Sequence, residues 1–226
     1  MHFRILRAVD VLLEGPWAPN AVDVRWRTDA YEPAPQAAAA ADAALERLAA
    51  RGSPSHDSMA ARLSRARARD DRLELELQPV RWALRLVDGA AAESLFIHCL
   101  VRSPEGDWLA GRRAPWLAVL PGAWHLGAAG SVDAGDDPIA TMRQELDEEW
   151  GLGGALLRLA AVLLEPSQRT VLLGVADVAG TAEPRPNDEH DAWAWWPADT
   201  GLWPDDAPTD MRLTATLAAT LAPLPT

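Results

Sequence analysis

A chain of 226 residues, about half of them apolar, has material for one large core or two small ones and carries no compositional sign of global disorder. Its formal net charge of −12 excludes the basic face from which non-specific nucleic-acid binding draws its affinity, so no nucleic-acid partner is expected. All 21 basic residues are Arg, which excludes Schiff-base and P-loop lysine chemistry and leaves arginine or a metal cation to receive any anionic ligand.

The amino terminus carries His2, Arg4 and Arg7, a basic start like that of a signal peptide. Asp10 and Glu14 interrupt the apolar stretch behind it and no small-residue cleavage site follows, so no export signal is expected. No run approaches the roughly 18 consecutive apolar residues of a membrane span, and no membrane partner is expected. Strands are expected over Phe3–Glu14 and Val22–Thr28, then a loop over Glu32–Pro35. An alanine-rich helix is expected over Gln36–Arg51, stopped by Gly52 and Pro54. Leu73, Leu75 and Leu77 alternate with Glu74, Glu76 and Gln78, the period-two pattern of a half-buried strand. Residues 1–90 therefore read as a small α+β region, and residues 91–226 as a second, larger unit.

In that second unit, Leu95–Arg102 and Trp108–Arg113 predict a hairpin around the turn Pro104 to Asp107. Cys99 lies on the first of these strands. As the only cysteine it excludes a disulfide and a thiolate metal cage, and it is expected as a buried residue of a cytoplasmic protein. A helix follows over Pro138–Trp150, then strands over Leu156–Leu164 and Thr170–Val178, a short aromatic strand Trp193–Trp196 and a closing helix Asp210–Leu221. Strands on both sides of a central helix predict an α/β fold, a mixed sheet sandwiched by helices.

The central helix carries the chemistry. Asp137 can cap it, Pro138 suits its first position, and Gly151 can supply the left-handed residue that ends it. Between them Glu145, Glu148 and Glu149, spaced i, i+3, i+4, share an arc of about 100°. Ile139, Met142, Leu146 and Trp150 gather on a neighbouring arc to be buried against the sheet. Three carboxylates on one stripe repel one another by a few tenths of a kcal/mol per pair unless a cation offsets them. Mg²⁺ takes such oxygens and also bridges phosphates. An ordinary solvated acidic face is the alternative that this triple alone leaves open.

The flanking residues extend the pattern. Gly130 is followed after five residues by Asp136, and after seven more by Gln144-Glu145, Leu146, Asp147, Glu148-Glu149, Trp150, Gly151 and Leu152. This resembles the signature of the Nudix hydrolase family: Gly, five residues, Glu, seven residues, Arg-Glu, aliphatic, any residue, Glu-Glu, any residue, Gly, aliphatic. Two positions depart from it. Asp136 replaces the first glutamate, and Gln144 replaces an arginine that in the family helps hold the neighbouring glutamate. Arg143, one residue away, is turned about 100° around the helix and is no simple substitute.

The resemblance implies an α/β/α sandwich with a mixed sheet, preceded here by the α+β region. It implies hydrolysis of a phosphoanhydride with Glu145, Glu148 and Glu149 as ligands of Mg²⁺ or Mn²⁺. A further carboxylate from a late loop often joins such sites, and Glu189, in the segment Asn187 to Asp191, is the candidate. His190 beside it is a candidate proton carrier. Arg112 and Arg113 are candidates for binding phosphate, the alternative being one exposed and one ion-paired arginine. Gly111 can allow close approach of backbone or ligand, and Gly130 and Trp124 are further candidates for binding substrate. Among Trp116, Trp124, Trp193, Trp195 and Trp196, one can stack on a nucleobase, although most tryptophans belong to cores. The expected substrate is a nucleoside diphosphate linked to another moiety, such as UDP-glucose or ADP-ribose. In several such relatives an extension contributes to a homodimer, which is expected here too. A Nudix-fold sensor that binds a nucleotide without cutting it is the competing reading. An isoprenoid isomerase using Cys99 is a third.

Overall fold

The computed structural model describes residues 9–50, 57–87, 94–117, 120–165, 169–180 and 183–224. The first strand, β1, spans Asp10–Trp17, and the part of it expected before residue 9 lies outside the described residues. Next come β2 (Val22–Trp26) and a helix, α1 (Pro35–Ala50). Arg51 and the expected stop at Gly52 and Pro54 again lie outside them.

A strand that the sequence reading missed follows, β3 (Met59–Arg69), paired antiparallel with β4 (Arg72–Arg81). Its small and basic residues are helix formers by composition. Yet Arg65 and Arg67 stand opposite Glu76 and Glu74, so cross-strand charge pairing supports the extended form. β2 adds to the other side of β4 in parallel, completing a three-stranded sheet in the order β2-β4-β3. The leucines of β4 are buried as their alternation predicts.

The larger sheet has eight strands. β5 (Leu95–Arg102) and β6 (Trp108–Arg113) meet at the expected turn, where Arg102 pairs Trp108. Beyond that pair two short strands enter: β7 (Trp124–Leu126) pairs β6, and β8 (Ala128–Ser131) pairs β5. Gly127 makes the switch between them. Its φ is +54°, its amide donates to the Leu109 carbonyl, and a Cβ there would overlap the Cys99 carbonyl.

The central helix, α2, spans Pro138–Trp150 as expected. The Asp137 carboxylate accepts from the Ile139 and Ala140 amides, and Gly151 ends the helix at φ +67°, ψ +26°. β9 (Leu156–Leu164), β10 (Thr170–Asp177), β11 (His190–Trp196) and a last helix, α3 (Thr209–Leu221), complete the chain. The sheet runs β1-β9-β10-β5-β6-β11, antiparallel except for the β10–β5 pair. β1 therefore adds to the larger sheet, although it precedes residue 90.

Two apolar layers cover the two faces of this sheet. On one, Met142, Leu146 and Trp150 of α2 pack with Ile97, Leu109 and Leu159, and Leu73, Leu75 and Leu77 of the three-stranded sheet join the same cluster. On the other, Met211, Ala215 and Ala218 of α3 pack with Leu100, Trp108, Leu173 and Trp196. Each fully buried Leu or Met contributes about 1.5–3 kcal/mol. This is the α/β/α arrangement with a mixed sheet. The three-stranded sheet also grips the loop before α2: the Ala61 amide donates to the Val132 carbonyl, the Ala134 amide to the Met59 carbonyl, and the Trp26 indole to the Asp136 carbonyl at 3.2 Å. Among the described residues no helix is long and apolar enough to cross a membrane.

Candidate active site

Helical spacing brings Glu145 and Glu149 together beneath β8, while Glu148 lies on the exposed flank. The Glu149 side chain is buried, and its Oε1 accepts the Ala129 amide at 3.1 Å. Glu145 lies against Gly130, where any Cβ would overlap its carboxylate. Gly130 is thus required by a protein side chain. Gln144 donates to Glu148 Oε1 at 2.8 Å, within its own helix. The Asp136 side chain is exposed.

The late loop is registered to the same helix. The last turn of α2 leaves carbonyls without helical partners, and two of them accept from this loop: Trp150 from the Arg185 amide at 2.7 Å, Glu149 from the Asn187 amide at 3.0 Å. Glu189 is thereby carried close enough for its charge to act on both Glu145 and Glu149. Burial, with the charges of Glu148 and Glu189, pushes the Glu145 carboxyl up to about 7. Burial, with Glu145 and Glu189, pushes Glu149 up to about 8, against the lowering effects of the Ala129 amide and Arg113.

Strand alternation separates the candidate arginines. Leu109 and Gly111 of β6 face α2, the latter directly beneath the rings of Trp150 and His190. Arg113 continues that face, and its charge acts on Glu149, His125 and His190. Arg112 falls on the other face and pairs with Asp191 at 2.6 Å. Of the two candidate arginines, only Arg113 thus lies on the side of the carboxylates, because neighbouring strand residues point oppositely. Trp124, paired with Arg112 in register, is likewise directed away: its ring packs 5.3 Å from that of Trp196 against the α3-side core. Trp116 behaves differently. It is 64% exposed, and its indole N–H donates to the Asp188 carbonyl at 3.2 Å, tying the β6–β7 loop to the loop of Glu189. Trp195 belongs to the α2-side core and Trp193 is partly exposed. Cys99 is fully buried, and burial pushes its thiol far up, which removes the basis for the isomerase reading.

The sequence reading missed His125. β11 begins three residues before the aromatic run, at His190, and so sets that ring beside His125 of β7, Nε2 to Nε2 at 2.6 Å. Both imidazoles are pushed down by burial, His125 to about 3 and His190 to about 4.

Two donor sets can be weighed for a metal. His125, Glu149 and His190 place ligand atoms within 4.8 Å of one another. The ring centroids, however, lie 4.8 Å apart at an interplanar angle of 22°, so the rings are nearly in line and coplanar across a 2.6 Å N···N contact. That is an N–H···N hydrogen bond. Two nitrogens on one tetrahedral ion, at bonds of about 2.0–2.1 Å, stand roughly 3.3 Å apart. The oxygen set fits better: Glu145 and Glu149 are half-buried or buried carboxylates raised chiefly by burial and further by neighbouring glutamate charge, and hard oxygen donors suit a hard divalent cation.

Comparison with known proteins gives a consistent picture. The sequence matches the family model described as NUDIX domain over residues 96–217. Among solved structures, the MutT protein from Methanosarcina mazei Go1 is similar at 20% identity and a TM-score of 0.44, covering 54% of this chain and 90% of that one. The NUDIX domain of Shewanella oneidensis NrtR, solved with ADP ribose, is similar at 15% identity and a TM-score of 0.45, covering 56% and 86%. A C. elegans Ap4A hydrolase is similar at 18% identity and a TM-score of 0.45, covering 57% and 99%. No curated protein matches the sequence. With more than half of its length matched by the family model, and with the glutamates of the signature gathered at one end of α2, this chain belongs to the Nudix family.

Proposed function

We propose that this Nudix hydrolase cleaves the phosphoanhydride of a nucleoside diphosphate linked to another moiety, with Mg²⁺ or Mn²⁺ held by Glu145, Glu148 and Glu149. The observation that carries the reading is the convergence of Glu145, Glu149 and Glu189 on one site, with Glu148 on its exposed flank and with Glu145 and Glu149 raised by burial and by neighbouring glutamate charge. A bound divalent cation supplies charge neutralisation of the diphosphate and a water of lowered pKa. Glu189 accepts the proton of the attacking water; the new P–O bond forms from that water, and the bridging P–O bond breaks to release a nucleoside monophosphate. Arg113 receives non-bridging phosphate oxygens. Trp116, exposed and tethered through its N–H, offers a ring face to a nucleobase, a contact of about 1–3 kcal/mol. Nucleotide sugars such as UDP-glucose or ADP-ribose are the preferred substrates. The region to residue 90 is proposed as a substrate-side or dimer-forming unit, supported by its grip on the loop before α2.

The test is a panel of nucleotide sugars and dinucleotides followed by phosphorus NMR with Mg²⁺, beside Glu148→Gln and Glu149→Gln. Metal-dependent release of a nucleoside monophosphate, lost in both variants, is the expected result. The sensor reading draws on Gln144 and Asp136, the two departures from the signature. Tight nucleotide binding without turnover, unaffected by either variant, would establish it and refute hydrolysis.

A further inference from the structure

Glu149 is oriented from the sheet. Gln144, which stands where the signature has an arginine, commits its amide to Glu148, and Glu149, besides a hydrogen bond with Glu145 of its own helix, takes contacts from β8 and β11. Its Oε1 takes the Ala129 amide; its Oε2 stands 3.6 Å from His190 Nε2. The His190 ring is fixed on several sides. Trp150 covers it at a centroid distance of 4.3 Å, and Gly111 leaves the room in which both rings sit. Asn187 Oδ1 accepts the Glu189 amide at 3.0 Å, so that atom is an acceptor, and His190 Nδ1 at 3.3 Å must donate to it. Neutral His190 therefore has its lone pair at Nε2, and His125 Nε2–H fills it. Glu149 Oε2 thus faces a ring edge that gives it no proton and whose own lone pair is already engaged.

We propose that His125 is a positioning residue for Glu149: acting through His190, it holds the ring that keeps Glu149 Oε2 open toward a divalent cation. This rests on the reading that the glutamates of α2 bind the metal. Outer residues that orient metal ligands change affinity by about 10–100-fold when removed. The side chain touches neither the proposed metal nor the substrate, and its effect belongs to metal affinity.

The experiment is Mn²⁺ binding followed by electron paramagnetic resonance on the full chain without substrate. His125→Phe, which lacks the donor, is expected to weaken binding by about tenfold or more, and His125→Gln, which retains an N–H, to restore it close to wild type. In the metal-free wild type, ¹⁵N NMR is expected to show His190 protonated on Nδ1 and His125 on Nε2. A folded His125→Phe protein with wild-type Mn²⁺ affinity overturns the proposal, as does His190 protonated on Nε2 alone; the NMR arm decides the matter if the Phe variant does not fold. Wild-type protein that binds Mn²⁺ with the expected His125 dependence yet hydrolyses nothing refutes hydrolysis and leaves this inference standing. Wild-type protein that binds no Mn²⁺ overturns both.

Discussion

Metal binding to this site is expected to weaken steeply as pH falls from 8 to 6, because the cation must displace protons that the crowded carboxylates hold. In the metal-free protein Glu149 is pushed up to about 8 and Glu145 to about 7. For Glu149 the ionised fraction falls from about one half at pH 8 to about one in a hundred at pH 6, a loss of roughly 50-fold in apparent affinity. Glu145, less buried and titrating as a partner of Glu149, adds up to about tenfold more. The assay is the Mn²⁺ dissociation constant at half-unit pH intervals, by paramagnetic resonance or calorimetry, together with the count of protons released. Stability without metal moves in the opposite direction. The folded state holds protons that the unfolded chain, with ordinary glutamates near 4.5, gives up, so metal-free stability falls as pH rises through about 5 to 8. A saturating divalent cation should therefore raise the melting temperature most at pH 8 and least at pH 6. A dissociation constant that is flat between pH 6 and 8, with no proton released, would refute the crowded-carboxylate reasoning.

Gly130→Ala is expected to cost activity far more than stability, because the added Cβ displaces only the flexible end of Glu145. A ligand moved by about 1 Å should lower kcat/KM by roughly 100-fold, with the melting temperature nearly unchanged; a large thermal loss with unchanged activity would contradict the geometry. Asp137→Ala removes the carboxylate that caps α2 and should destabilise the fold by about 1 kcal/mol, measured by urea denaturation, and an unchanged midpoint would show that the cap contributes nothing.

The features legible in the sequence are local ones. Helix α2 could be placed from Asp137, Pro138 and Gly151 because caps act within one turn, and the glutamate stripe follows from helical periodicity, whatever lies around it. The leucines of β4 were readable for the same reason, since alternation needs no knowledge of the partner strand. Strand β3 showed its own alternation of Arg and Ala, but helix-forming composition obscured it. What depended on tertiary structure was the choice between neighbours. Arg113 and not Arg112 faces the carboxylates, His125 and not Trp124 shares that face, and both outcomes follow from how β6 pairs with β7 and β11. A three-residue strand such as β7 is too short to carry a period, and His190 looks like a loop residue until β11 is seen to begin with it. The elevated carboxylates of Glu145 and Glu149 likewise arise from burial and from Glu189, 40 residues beyond Glu149 in the chain. A sequence determines directly what its near neighbours along the chain can enforce. Which faces meet, and so which side chains share a site, is decided only when strands distant in sequence pair in one register.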